Sequence, residues 1–316
     1  MLKLSLKTLL ISFFLLLLSV AIGVSVGSEP INFHSISDLQ KSILLEIRLP
    51  RVLLAATVGA SLSISGAALQ ALLRNPLAEP YLLGVSNGAA LGTLLAFVFL
   101  ESIPFSRSVM AFTGAATATF IVYRIAKTAA GMTSERLVLS GVIVTTFLSS
   151  LIILLTSVLD AARLQGFTFW LLGDLSQATY WSVAITGVTL ILAGFALINQ
   201  SRALNLMMIG ERDALDLGVE TALVRLTVFA AASALVGASV AAGGSVGYVG
   251  LTVPHLVRLA GGSDNRFVLP MSLFVGASFV VIADTVARVS IAPRELPVVA
   301  ITALVGAPMF IYLLRK

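Results

Sequence analysis

Long apolar runs constrain this chain more than any other feature. A hydrocarbon core about 30 Å thick is crossed by about 20 apolar residues in a helix. Ten segments follow that pattern, near 6–26, 50–73, 83–100, 106–123, 137–159, 180–198, 222–242, 246–260, 268–287 and 296–314. Charged residues make up only 11% of the 316, where a soluble domain carries about a quarter. Too little charge remains to solvate a water-facing surface of that size. The expectation is an all-α polytopic membrane protein of about ten transmembrane helices, one transmembrane domain spanning 1–316.

The net charge of +5 comes from cations scattered in ones and twos between the runs. No basic patch is interleaved with aromatics, so nucleic acid is not expected as a partner. The first run, Leu9 to about Val26, exceeds the roughly 7–15 residues of a cleavable signal core and reads as a retained span. The eighth is short and contains Pro254, which implies a bent helix or one sheltered from lipid by its neighbours. With the N-terminus inside, thirteen Lys and Arg fall on the inner side and seven on the outer. That asymmetry favours both termini in the cytoplasm.

Small residues recur at helical spacing. Gly84, Gly88 and Gly92 form one i+4 row, and Ser233, Gly237 and Ala241 another, as expected where helix backbones approach closely. A "VGAS" at Val58–Ser61, followed by Gly66 and Pro76, is echoed at Val236–Ser239, followed by Gly244 and Pro254. A third copy at Val275–Ser278 lacks those companions, so duplication and chance both stand.

Three polar stretches interrupt the apolar runs. In "RNPLAEPYLLGVSNGAALG", Pro76 and Pro80 end one helix and delay the next; with Asn75 and Glu79 they mark a shaped cytoplasmic turn. The segment 201–220, "SRALNLMMIGERDALDLGVE", reads as two short amphipathic helices broken at Gly210. Arg212 and Asp216 stand at i,i+4 spacing for a surface pair. Its mixed charge favours a protein partner over lipid. The third, "GGSVGYVGLTVPHLVRLAGGSDNR", is glycine-rich and holds His255, but His34 is the only other histidine. No metal-ligand spacing is present, and neither a metal nor a cofactor is expected.

Enzyme signatures fail as well. There is no nucleophile elbow, no zinc-protease motif and no Gly-Lys pair, hence no Walker phosphate loop. Any ATP-driven process needs a separate ATPase. Cysteine is absent. Asp284 is the clearest intramembrane carboxylate, and that scarcity counts against an ion-coupled carrier. Arg48 and Arg51 flank Pro50 at the mouth of the second run, either as interfacial anchors or as a landing site for something acidic.

"RLPRVLLAATVGASLSISGAALQALLRNPLAEPYLLGVSNGAALG" resembles the FecCD family of permeases. "ALNLMMIGERDALDLGV", "GSVGYVGLTVPHLVRLAGG" and "ELPVVAITALVGAPMFIYLL" continue the likeness in order along nearly the whole chain. The resemblance implies a type II ABC importer permease that carries iron–siderophore, haem or cobalamin. It further implies a homodimer, two cytoplasmic ATP-binding subunits and an extracytoplasmic substrate-binding protein. On that likeness Leu206, Gly210, Glu211, Ala214, Leu217 and Gly218 belong to the segment that couples to the ATPase, with Asn75, Pro76, Glu79 and Pro80 nearby. Arg48, Arg51 and Arg288 match arginines that receive acidic residues of the binding protein; Arg294 lies where the family varies. Two other classes remain at this stage: an ion-coupled secondary transporter, and a structural or signalling membrane protein. No residue type in the chain selects one chelate over another.

Overall fold

The computed structural model describes residues 6–29, 31, 36–100, 103, 105–128 and 132–314. Lys3, His34, Arg315 and Lys316 lie outside the described residues. Fourteen α-helices follow one another there: α1 (Leu6–Ser25), α2 (Asp38–Ser42), α3 (Leu49–Leu72), α4 (Val85–Phe99), α5 (Ser106–Ala126), α6 (Ser134–Thr156), α7 (Ala161–Leu171), α8 (Tyr180–Asn199), α9 (Ser201–Ile209), α10 (Glu211–Asp216), α11 (Thr221–Gly243), α12 (Val249–Gly261), α13 (Asn265–Val289) and α14 (Val298–Leu314). A π-helical turn, Ile43–Arg48, leads into α3, and a 3-10 turn, Pro80–Leu83, precedes α4. Each of the ten apolar runs coincides with one helix. Seven helices among the described residues are long and apolar enough to cross a bilayer. α4, α12 and α14 are shorter, at 15, 13 and 17 residues.

α3 is the axis of the bundle. In its most apolar window 83% of residues are buried, against 17% for α1 and for α8, which present their surfaces outward. Its small residues explain the central position, because they let other backbones come close without help from the hydrophobic effect. A Cβ at Gly59 would lie 2.2 Å from the Gly276 carbonyl of α13, and one at Gly66 would lie 1.9 Å from the Gly250 carbonyl of α12. The glycine row in α4 serves α5 in the same way: a Cβ at Gly92 would meet the Met110 carbonyl at 1.9 Å. Gly84 stands outside that row as the left-handed residue, φ 77°, that opens α4. α1 packs on α13, with Ser12 Oγ donating to Met271 Sδ at 3.7 Å and Gly23 seated against Val281 and Thr285. Such packing fits an integral first helix.

Two helices begin inside the protein rather than at its surface. The first turn of α12 meets α3 at Gly66, about two turns before α3 ends. The irregular link 244–248 is therefore enclosed, and its backbone must be satisfied by protein. Tyr81 Oη donates to the Val246 carbonyl at 2.9 Å and accepts from Val246 N–H at 3.0 Å. Glu79 accepts from Tyr248 N–H at 3.2 Å. Pro254 lies within α12 and cannot donate to the carbonyl four residues earlier, that of Gly250. Gln70 of α3 makes up the loss, its Nε2 donating to Gly250 and Leu251 oxygens at 3.2 Å each. Pro254 is thus sheltered, one of the two outcomes its position implied.

Candidate functional site

Polar side chains gather at the two ends of α13. Asn265 and Arg288 are 23 residues apart, about 35 Å along a helix. At the α13 C-terminal end, Asp284 is fully buried, with Arg48, Arg51 and Arg288 at 5%, 5% and 4% exposure. Arg51 reaches Asp284 through Nε (3.0 Å) and Nη2 (2.9 Å), and its Nη1 donates to Glu295 Oε2 at 2.7 Å. Arg288 Nε stands 3.1 Å from Asp284 Oδ2, while its Nη2 donates to the Gly23 carbonyl at 2.8 Å. Arg48 donates to the carbonyls of Ser25 (3.2 Å) and Glu29. One carboxylate and a few end-of-helix carbonyls thereby tie α1, α3, α13 and the approach to α14.

This differs from exposed landing cations. At the end of an apolar helix a guanidinium is stabilised by turning inward to a carboxylate, and here that partner lies 233 residues away in sequence. Glu295, its side chain 39% exposed, stands at the rim of the cluster, and Arg294 beside it is exposed.

The N-terminal end of α13 is fastened to the segment 201–220. Asn205 of α9 donates through Nδ2 to Asp264 Oδ1 at 2.7 Å, and its Oδ1 accepts from Asn265 N–H (2.8 Å) and Nδ2 (2.9 Å). Asn265 is fully buried. The Arg266 guanidinium, with the Asn205 amide, holds the Asp264 carboxyl well below the usual carboxylate range. Neither Asn205 nor Asn265 stands out in the sequence, since Asn205 sits among the apolar residues of a short amphipathic run and Asn265 lies in a polar stretch after a glycine pair that looks like ordinary linker.

Within the segment, the break falls at Gly210 as expected, separating α9 from α10. Ala214 is fully buried and Glu211 is paired with Arg225 of α11 at 2.7 Å, so both anchor the short helices to the body. Leu206 and Gly210 are half-buried, and Gly218 takes a left-handed φ of 82° in the turn after α10. Leu217 is 66% exposed, joined by Ile209 at 72% and Leu215 at 53%. Arg212 and Asp216 do not pair: both are exposed, and Arg225 rather than Arg212 supplies the cation for this segment. The turn after α3 divides likewise. Asn75 and Pro76 are exposed, with Asn75 Oδ1 capping Leu77 N–H at 2.9 Å. Pro80 is buried against Gly250, and Glu79 reaches inward to Tyr248.

A family model described as the FecCD transport family matches residues 9–316. The chain belongs to that family. It is 38% identical to the hemin transport system permease protein HmuU of Yersinia pestis over 98% of this chain and 96% of the relative. It is 39% identical to the vitamin B12 import system permease protein BtuC of Vibrio parahaemolyticus over 98% and 94%. A solved structure described as an inward-facing metal-chelate type ABC transporter superposes with a TM-score of 0.90 at 32% identity, covering 98% of this chain and 99% of that one. This FecCD member is a multi-pass inner-membrane permease homologous to those importer permeases. Permease subunits of the family are not themselves enzymes. The ion-coupled alternative finds no support in these likenesses.

Proposed function

We propose that the chain is the membrane half of an importer for a metal chelate, haem or corrinoid, working as a homodimer with two cytoplasmic ATP-binding subunits and an extracytoplasmic binding protein. Ten spans with both termini in the cytoplasm suit this reading, and the whole chain acts as one transmembrane domain. The observation that carries it is the division of labour along α13: a charged rim at one end, and at the other two short helices bolted to the body with apolar side chains turned out. Exposed Ile209, Leu215 and Leu217 are the kind of anchors that fill a partner's pocket. Leu206, Gly210, Glu211, Ala214 and Gly218 set their positions, and Asn75, Pro76, Glu79 and Pro80 form the neighbouring inner surface.

Docking of the binding protein falls to the outer rim. Arg48, Arg51 and Arg288 supply its positive field from within, which steers an acidic partner more than it sets raw affinity. Uptake by the complex in proteoliposomes, supplied with ferric chelates, haem and corrinoids in turn, tests the reading. ATP-dependent accumulation of one of these supports it; none with any cargo, despite an assembled complex, contradicts it.

A further inference from the structure

A cavity of about 900 Å³ lies between the N-terminal ends of α5 and α8, the C-terminal end of α11, and α7. It sits at the same end of the molecule as the arginine cluster, since Tyr180 Oη at the start of α8 donates to the Leu45 carbonyl just before α3 at 2.5 Å. Its lining is divided. One wall is apolar, with Phe112, Phe169 and Ile185 among the contributors, while Arg107 and Asp174 stand in the polar part. Arg107 lies 4.1 Å over the Phe97 ring centroid, a contact that leaves its charge uncancelled, and it makes no ion pair among the described residues. Among the described residues Asp174 Oδ1 accepts the Ser176 N–H alone, at 2.8 Å. One cavity thus holds an anion receptor and a cation receptor above an apolar wall.

The apolar wall opens at the surface of the spanning helices α5 and α8. Phe112, Ile185 and Trp181 are 45%, 47% and 68% exposed, and α5 and α8 bury only 28% and 17% of their most apolar windows. Trp181 is of the kind enriched at the membrane–water boundary. A volume near 900 Å³ accommodates a headgroup with the first carbons of its chains.

We propose that this cavity is a headgroup-selective site for an outer-leaflet phospholipid with a zwitterionic primary-amine headgroup, of which phosphatidylethanolamine is the simplest. Its phosphate meets Arg107, its ammonium meets Asp174, and one acyl chain follows Phe112 and Ile185. Ordinary annular lipid needs no such pairing of charges and shows no preference among headgroups.

The test is native mass spectrometry of the detergent-purified protein titrated with phosphatidylethanolamine, phosphatidylcholine and phosphatidylglycerol of matched chains. Phosphatidylethanolamine is expected to bind about tenfold more tightly than the other two, the order that one charge-assisted hydrogen bond supplies. Asp174→Asn is expected to abolish that preference while sparing phosphatidylglycerol, which needs only the anion receptor. Arg107→Gln is expected to weaken both lipids. Thermal unfolding in the same detergent identifies a variant that has simply lost its fold, and Arg107→Met, which also removes the charge but keeps a long side chain over the Phe97 ring, then serves in place of Arg107→Gln. Equal retention of all three lipids by the parent protein overturns the proposal. So does haem or a ferric chelate displacing phosphatidylethanolamine at equimolar amounts, which would make the cavity a cargo site.

Discussion

Arg51 Nη2 and Asp284 Oδ1 meet at 2.9 Å across 233 residues of sequence, in a site where Asp284 has no solvent exposure. Asp284 serves Arg288 as well, so one buried carboxylate is shared by two buried cations, with Glu295 at the rim supplying a second negative charge. A buried pair is a weak source of net stability, but breaking one leaves an uncompensated charge.

Asp284→Ala is therefore expected to destabilise the fold by about 3–5 kcal/mol. Glu295→Gln, at the half-exposed rim, is expected to cost about 1 kcal/mol or less. Thermal unfolding of the two variants in detergent checks the contrast. Similar shifts for both would place the cluster in solvent rather than in the core.

Backbone contact through glycine gives a second prediction. Gly92→Val is expected to fail in reaching a folded, membrane-inserted state, because its Cβ would stand 1.9 Å from the Met110 carbonyl. Gly187→Ala in α8, where a Cβ meets nothing within 4 Å, is expected to be neutral or slightly stabilising, since alanine favours the helix by up to about 1 kcal/mol. Expression and monodispersity in size-exclusion chromatography separate them.

Gln70 is the third case. Gln70→Leu leaves the Gly250 carbonyl without a donor opposite Pro254, at a cost of about 1–3 kcal/mol. Gln70→Met, also unable to donate, should match it, whereas Gln70→His should retain part of the stability. Melting temperatures of the three check that the amide hydrogen bond matters and not the shape.

The Asn205–Asp264–Asn265 fastening predicts an uncoupled phenotype. Asn205→Ala is expected to keep the fold and bound ATPase but lower transport per ATP hydrolysed several-fold, measured on the assembled complex. The Asp264 carboxyl is held below its usual range, so its contribution is complete above the unfolded value near 4 and is lost only as pH falls further. Coupling should therefore not change between pH 8 and pH 5 on account of this group.

Much of this was legible in the residues. All ten apolar runs are helices, since nothing else satisfies a backbone in lipid, and Gly210 does break the segment 201–220 into two helices. The shortness of α12 was legible, but how the enclosed backbone before it is satisfied was not, because that depends on Tyr81, Glu79 and Gln70 reaching groups far away in sequence. The burial of Arg48, Arg51 and Arg288 was hidden for the same reason, although Asp284 and Arg288 carried a local hint in their i,i+4 spacing. Arg212 and Asp216 had that spacing too, yet in a six-residue exposed helix a surface pair is worth only a few tenths of a kcal/mol. The "VGAS" echo falls at different depths in its two helices: Val58–Ser61 lies mid-way along α3, whereas Val236–Ser239 lies in the last turns of α11, and Gly244 is already outside the helix.

The central claim is that a separate ATPase drives this permease through Ile209, Leu215 and Leu217. The most direct measurement is cargo uptake into proteoliposomes holding the purified complex, with the parent chain and with Leu217→Asp side by side. ATP-dependent, vanadate-sensitive uptake by the parent, lost together with ATPase retention in Leu217→Asp, is the expected result. Uptake by the permease alone, driven by an ion gradient and unchanged by Leu217→Asp, would contradict the account.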